Sequence, residues 1–386
     1  MITLEQRFGG IPAWEDVNEW LISLGWNRTV VGSSVQGRDL VVYAMSLSAA
    51  IHTTATADVN MMYLSLTHGN EPMGLVSLLA TAQELSRRWQ LEQERQKQYS
   101  NVPSTTCKIL LFPFVNIDAY QHNFHNGTQQ RGNLNGMDLN RNYANSWYER
   151  QQQQQPILPS TEPYNRPHVS FTEPESRTVR SVVEMYNITH AMSFHSMGHS
   201  KRPRLLIHPF ASERPWHEMP PDRARYYRHA SCTLNDKGHY DAAGTAMEAI
   251  GYTALGATID WMDAEHNIYA FVVEAVPPCS SRFCRNESTQ IWKEANINAQ
   301  TAVRFLDLAA DTAWIPQNQV NIFTSSCRIK DVVLLWVRSD YPSSFEMSYN
   351  NIVIQSLLML FVLVIVLCHR TRRCQQRRTI NALRAN

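Results

Sequence analysis

His68 and Glu71 stand three residues apart in Thr67-His68-Gly69-Asn70-Glu71, directly after an apolar run from Met61 to Leu66. His195 lies in Ser193-Phe194-His195-Ser196, at the end of a second apolar run. Two imidazoles and one carboxylate form the ligand set of a zinc site that keeps its fourth position open. A spacing of three on a tight connection lets both side chains of the first pair reach one ion. A third run, Phe271-Val272-Val273, ends in Glu274, a carboxylate suited to general-base work. Sites in buried α/β sheets gather beyond the strand ends, so these residues are expected to converge.

Short apolar strands must carry them there. Strands are predicted at Leu40–Met45, Met61–Leu66, Lys108–Val115, Ala191–Phe194, Leu205–His208 and Ala270–Val276. Helices are predicted over residues 12 to 26, from Pro72 to about Gln93, over Pro174–Tyr186 and over Trp292–Ala310. Near-continuous apolar strands alternating with helices imply an α/β fold, a mixed and mostly parallel sheet sandwiched between helices. The glutamine run Gln151–Gln155, followed by Pro156, Pro159 and Pro163, reads as a solvated loop rather than a domain boundary.

The chain has 386 residues, is 44% hydrophobic and 18% charged, and carries a formal net charge of +1. That is globular composition, and it gives no electrostatic basis for nucleic-acid binding. Charge is uneven only at the end: no Asp or Glu follows Glu346, and arginines crowd the last residues. Ile352 to Cys368, 17 residues broken only by Gln355 and Ser356, is just long enough to span a hydrocarbon core of about 30 Å. The expected organisation is a catalytic domain over 1–315, a stalk over 316–350, a transmembrane helix over 351–368 and a basic cytoplasmic tail over 369–386. The arginines orient such a span with its C-terminus in the cytoplasm, so the body faces the exterior or a lumen. No signal peptide follows Met1, and an upstream start is expected. Sequons at Asn27, Asn126, Asn187 and Asn286 agree with that side of the membrane. Of the seven cysteines, Cys107, Cys232, Cys279, Cys284 and Cys327 lie in the body, either as disulfides or as buried thiols. Cys279 and Cys284 are spaced to close a short loop.

Taken together, Thr67–Glu71, Asp138-Leu139-Asn140-Arg141-Asn142, Ser193–Ser196, Thr258-Ile259-Asp260-Trp261 and Val273-Glu274 resemble the zinc metallocarboxypeptidase family of carboxypeptidase A/B type, in order and over residues 12 to 310. Gly32–Arg38 and Thr172-Glu173-Pro174-Glu175 are smaller echoes of it. The resemblance implies one Zn2+ held by His68, Glu71 and His195, with Glu274 as base and Arg131 stabilising the oxyanion. It implies that Asn140 and Arg141 clamp the C-terminal carboxylate of a peptide, that Tyr252 covers the substrate, and that Asp138 orients His68. Ile259 would floor the pocket for the departing side chain. An apolar floor favours apolar or aromatic residues, because an unpaired cation is costly to bury there. The implied partners are peptide or protein C-termini and, through the C-terminal span, a membrane.

The sequence departs from relatives at Asn70, which stands where some carry arginine, and at Met197, which replaces a tyrosine. The glutamine-rich stretch has no counterpart, and neither an activation segment nor a transthyretin-like domain is expected. Two competing readings are a deglutamylase of the same family, which would need cations in the pocket, and a catalytically silent peptide-binding or adhesion module on a stalk.

Overall fold

The run after Asp58 has no polar alternation, so both of its faces must be covered. In the computed structural model β3 (Val59–Ser65) is buried at every residue, inside an eight-stranded sheet. The structure describes residues 3–50, 59–98, 104–146, 169–196, 204–212, 214, 216–276 and 288–310. The other strands are β1 (Asn27–Ser33), β2 (Asp39–Ala50), β4 (Ser104–Phe112), β5 (His190–Ser196), β6 (Leu205–Ile207), β7 (Ala242–Gly244) and β8 (Tyr269–Ala275).

Their order across the sheet is β1-β2-β4-β3-β5-β8-β6-β7. The central strands β4, β3, β5 and β8 run parallel to one another, as β6 does to β7. β1–β2, β2–β4 and β8–β6 are antiparallel. The sheet is therefore mixed, with the parallel strands at its centre. Because β3, β5 and β8 point the same way, their C-terminal ends lie at one edge, and those ends carry His68, His195 and Glu274.

The helices are α1 (Leu4–Phe8), α2 (Trp14–Ser23), α3 (Pro72–Gln98), α4 (Ile117–Asn126), α5 (Pro174–Tyr186), α6 (Pro221–Leu234), α7 (Ala246–Ile250), α8 (Thr258–His266) and α9 (Ser288–Ala310). α3 starts with Pro at a position where the missing N–H has no helical partner to lose. It lies on β2, β3, β5 and β8 and packs along α9, while α5 covers β1 and α8 packs on β8. Leu75, Val76, Leu78, Leu79, Phe305 and Leu306 fill the space between.

The first predicted helix is shorter than expected, ending at Ser23 before the turn at Gly25. β1 was not predicted, because its residues are mostly exposed on an edge strand and lack an apolar face. α4, α6, α7 and α8 were also unpredicted. α4 and α8 show why: their polar residues Asp118, Asn123, Asp260 and Asp263 are buried, which hides the amphipathic period.

Cys232 on α6 is disulfide-bonded, and Cys107, buried on β4, is a thiol. Among the described residues no helix is long and apolar enough to cross a membrane. The expected stalk, span and tail (316–350, 351–368 and 369–386), the glutamine run, Met197, the Asn286 sequon and the remaining cysteines lie outside the described residues.

Candidate active site

β3 turns into the His68 loop through Leu66, a fully buried residue held at φ 53°. That left-handed conformation is strained for a branched side chain, and the Leu66 carbonyl anchors it by accepting from Asn116 N–H at 2.9 Å. Two glycines then let separate elements close on one point. A Cβ on Gly69 would lie 2.4 Å from the Ala119 Cβ, and one on Gly74 would lie 2.4 Å from the Phe194 carbonyl oxygen. Gly74 thus allows the first turn of α3 to reach the end of β5. The Gly69 N–H donates to the Arg131 carbonyl at 3.0 Å, tying in the loop that carries Arg131.

His68, Glu71 and His195 converge as the sequence requires. His68 Nδ1 lies 2.9 Å from Glu71 Oε1, His195 Nδ1 lies 3.0 Å from Glu71 Oε2, and the two Nδ1 atoms are 3.1 Å apart. All three side chains are buried, and one ligand atom from each lies within 4.8 Å of the others. Asp138 Oδ1 lies 3.0 Å from His68 Nε2, which places the ring proton there and turns the Nδ1 lone pair inward. The two Nδ1 atoms face each other and the Glu71 carboxylate, an arrangement that one shared cation would satisfy. The donor set fits a zinc ion, which would be held by His68 Nδ1, the Glu71 carboxylate and His195 Nδ1.

The acids of the cluster are held ionised. Burial opposes the charge on Glu71, but His68 and the hydrogen bonds from His195 outweigh it and lower its pKa well below the usual range. Asp138 is likewise lowered, its burial overcome by His68 and Arg131, with a further contribution from Arg141. Arg131 donates from Nη1 to Glu71 Oε1 at 2.8 Å and from Nε to Asp138 Oδ2 at 3.0 Å. Its pKa is raised in spite of burial by Glu71 and Asp138, with Glu274 adding to the effect.

Glu274 sits on β8 directly beside His195, its register partner on β5. Asn140 and Arg141 occupy a short 3₁₀ turn, Leu139–Arg141. The Asn140 N–H donates to Asp138 Oδ1 at 2.9 Å, joining the turn to the cluster. Asn140 Oδ1 accepts from the Thr258 N–H and hydroxyl, each at 3.0 Å, and so caps α8 from outside the helix. Arg141 is buried and donates to the Asn140 carbonyl at 3.0 Å. Ile259, 3% exposed, lies in the first turn of α8. Tyr252 is 47% exposed, one residue past the Gly251 that ends α7, and this exposure sets it apart from the buried ligands.

Next to Ile259 stands a buried carboxylate, Asp260. Asp260 spends both oxygens on backbone, accepting from Ala211 N–H at 2.6 Å and Ser212 N–H at 2.9 Å. Burial pushes its pKa up to about 6 against those two hydrogen bonds. Ala211, the neighbour it fixes, is buried and apolar. Asp260 stands out in the sequence only as part of its motif, and Ala211 not at all, because their contact spans almost fifty residues.

A family model described as zinc carboxypeptidase matches residues 27–301. The chain belongs to the zinc carboxypeptidase family. This is a family of peptide hydrolases, and the matched region takes in His68, Glu71, His195 and Glu274. Among curated relatives, carboxypeptidase D of Anas platyrhynchos is 30% identical over 122 residues, 31% of this chain and 8% of that protein. The carboxypeptidase N catalytic chain of Homo sapiens is 32% identical over 119 residues, 29% of this chain and 25% of that protein. The matched stretch thus spans a quarter or less of these relatives. Among solved structures, carboxypeptidase A from Helicoverpa armigera superposes with a TM-score of 0.57 at 17% identity, covering 78% of this chain and 73% of that one. Thrombin activatable fibrinolysis inhibitor gives 0.56 at 17% identity, covering 77% and 75%. These similarities establish the carboxypeptidase fold.

Proposed function

We propose that this protein is a zinc-dependent carboxypeptidase that removes single apolar or aromatic residues from peptide C-termini. The observation that carries the reading is the convergence of His68 Nδ1, Glu71 and His195 Nδ1, with Glu274 on the neighbouring strand. When bound, zinc would polarise the scissile carbonyl and lower the pKa of a water. Glu274 takes the proton of the attacking water as the water oxygen bonds to the carbonyl carbon, and delivers it to the amine as the C–N bond breaks. Arg131, one hydrogen bond from Glu71, directs its fixed charge toward the oxygen that becomes negative. Asn140 and Arg141 receive the free C-terminal carboxylate, for which a guanidinium is the natural bidentate partner. Tyr252, half exposed at the rim, closes over the peptide.

Ile259 at the pocket floor supports the apolar preference, and so does the commitment of both Asp260 oxygens to backbone N–H groups. A lysine or arginine side chain would find no uncommitted carboxylate in this pair. We further propose that residues 351–368 anchor the protein as a single span with the catalytic domain outside the cytoplasm. The disulfide-bonded state of Cys232 and the exposure of Asn27, Asn126 and Asn187 support that side.

The test is hydrolysis of blocked dipeptides ending in Phe, Leu, Arg or Glu, with and without a zinc chelator. Chelator-sensitive release of Phe or Leu is expected. Release of Arg or Glu alone would keep the enzyme and overturn the role given to Ile259. No release by folded, zinc-loaded protein would favour a silent peptide-binding module.

A further inference from the structure

The loop between Arg131 and Asn142 carries four of the residues argued above, yet it has no strand to fix it. Its first turn is built on Asn133, which is 0% exposed. The Asn133 N–H donates to the Met137 carbonyl at 2.9 Å, and its carbonyl accepts from Gly136 N–H at 2.9 Å. Its side-chain oxygen accepts from Asn135 and Met137 N–H, both at 3.1 Å. This turn closes the chain between Arg131 and Asp138, so it sets the distance between the two side chains that meet at 3.0 Å.

The turn is itself bolted to α5. Asn133 Nδ2 donates to Glu173 Oε2 at 2.7 Å and to Glu175 Oε2 at 3.0 Å. Asn135 Nδ2 adds a second donor to Glu173 at 2.8 Å. At the far end of the loop, Asn142 Oδ1 accepts from Glu173 N–H at 3.1 Å. Two carboxylates that would repel each other are thus bridged by one amide, a role that an aspartate of the same shape could not fill.

We propose that Asn133, gripped by Glu173 and Glu175, is a positioning residue: it holds Asp138 on His68 Nε2 and Arg131 on Glu71, and through them sets zinc affinity and turnover. The inference rests on the metal-site reading above. A network that served stability alone would change the melting temperature and leave the loaded site unaltered.

The experiment uses the purified full chain, with zinc affinity measured by competition against a chromogenic chelator and with kcat and KM on a blocked dipeptide ending in Phe. Asn133→Asp is expected to weaken zinc binding and lower kcat by about 10–100-fold, with KM changed less. Adding Glu175→Gln gives the new carboxylate one amide donor while Glu173 still faces it, and should recover part of both losses. Unchanged zinc affinity and kcat in Asn133→Asp would overturn the proposal, as would a loss that Glu175→Gln leaves untouched. Should Asn133→Asp fail to fold, Asn135→Ala carries the test. It removes only the second donor to Glu173 and is expected to lower both quantities by a smaller factor, and no change would overturn the proposal. If the wild type binds zinc but hydrolyses no dipeptide, the catalytic reading fails, while zinc affinity still decides the role of Asn133.

Discussion

The buried acids of the strand-end cluster and those of α8 meet opposite surroundings. Asp260 gives its oxygens to two backbone N–H groups, and Asp263 Oδ1 accepts from Arg223 Nε at 2.9 Å and from the Tyr227 hydroxyl at 2.7 Å. Protein donors therefore surround those carboxylates, and nothing further is needed beside them. In the cluster, by contrast, two imidazole nitrogens face each other at 3.1 Å over one carboxylate, an arrangement that one shared cation would satisfy. Burial of an acid is thus no sign of function by itself. The sign is a set of lone pairs aimed at one another and held there by groups such as Asp138.

The sharpest way to break this contrast is to remove a ligand. His195→Ala should abolish zinc binding and turnover together; retention of stoichiometric zinc would place the metal elsewhere. Next in size is Glu274→Gln, which keeps shape and zinc while removing the base, and should lower kcat by about 10²–10⁴-fold. Full activity in that variant would sink the mechanism. Asp138→Asn should weaken zinc about 10–100-fold by loosening the His68 ring, read by chelator competition.

On α8 the same class of substitution should leave zinc unaltered. Asp263→Asn strips the charge partner from Arg223, whose side chain is only 12% exposed, and should cost about 3–5 kcal/mol of stability in denaturant unfolding. A change in zinc affinity instead would merge the two regions. The smallest effect is pH-dependent. Asp260 has a folded pKa of about 6 against an ordinary 3.8, so the folded state binds more protons between those values. Its contribution to stability is present below about pH 4 and is lost as pH rises through about 6. Asp260→Asn should flatten that part of the melting-temperature profile, and an unchanged slope would remove Asp260 as its source.

The convergence of His68, Glu71 and His195, with Glu274 beside His195, was legible in the sequence because each group follows an apolar strand, and parallel strands bring equivalent ends to one edge. The roles given to Arg131, Asn140 and Arg141 came only from resemblance to the family. The support behind them was not legible. Asn133 lies 40 residues before Glu173 and 42 before Glu175, and Thr172–Glu175 reads locally as a helix opening and a minor echo of the family, with no sign of that contact. Edge strand β1 and helix α8 were hidden for a related reason: exposure in one and buried polar residues in the other erase the periodicity that marks an element.

The most direct test of the central claim is the zinc content and melting temperature of the purified protein before and after chelation. One zinc per chain, a melting temperature that falls on chelation, and loss of both responses in His195→Ala are the expected results. A protein that retains no zinc, and melts identically with and without chelator, would contradict the metal site on which the whole account depends.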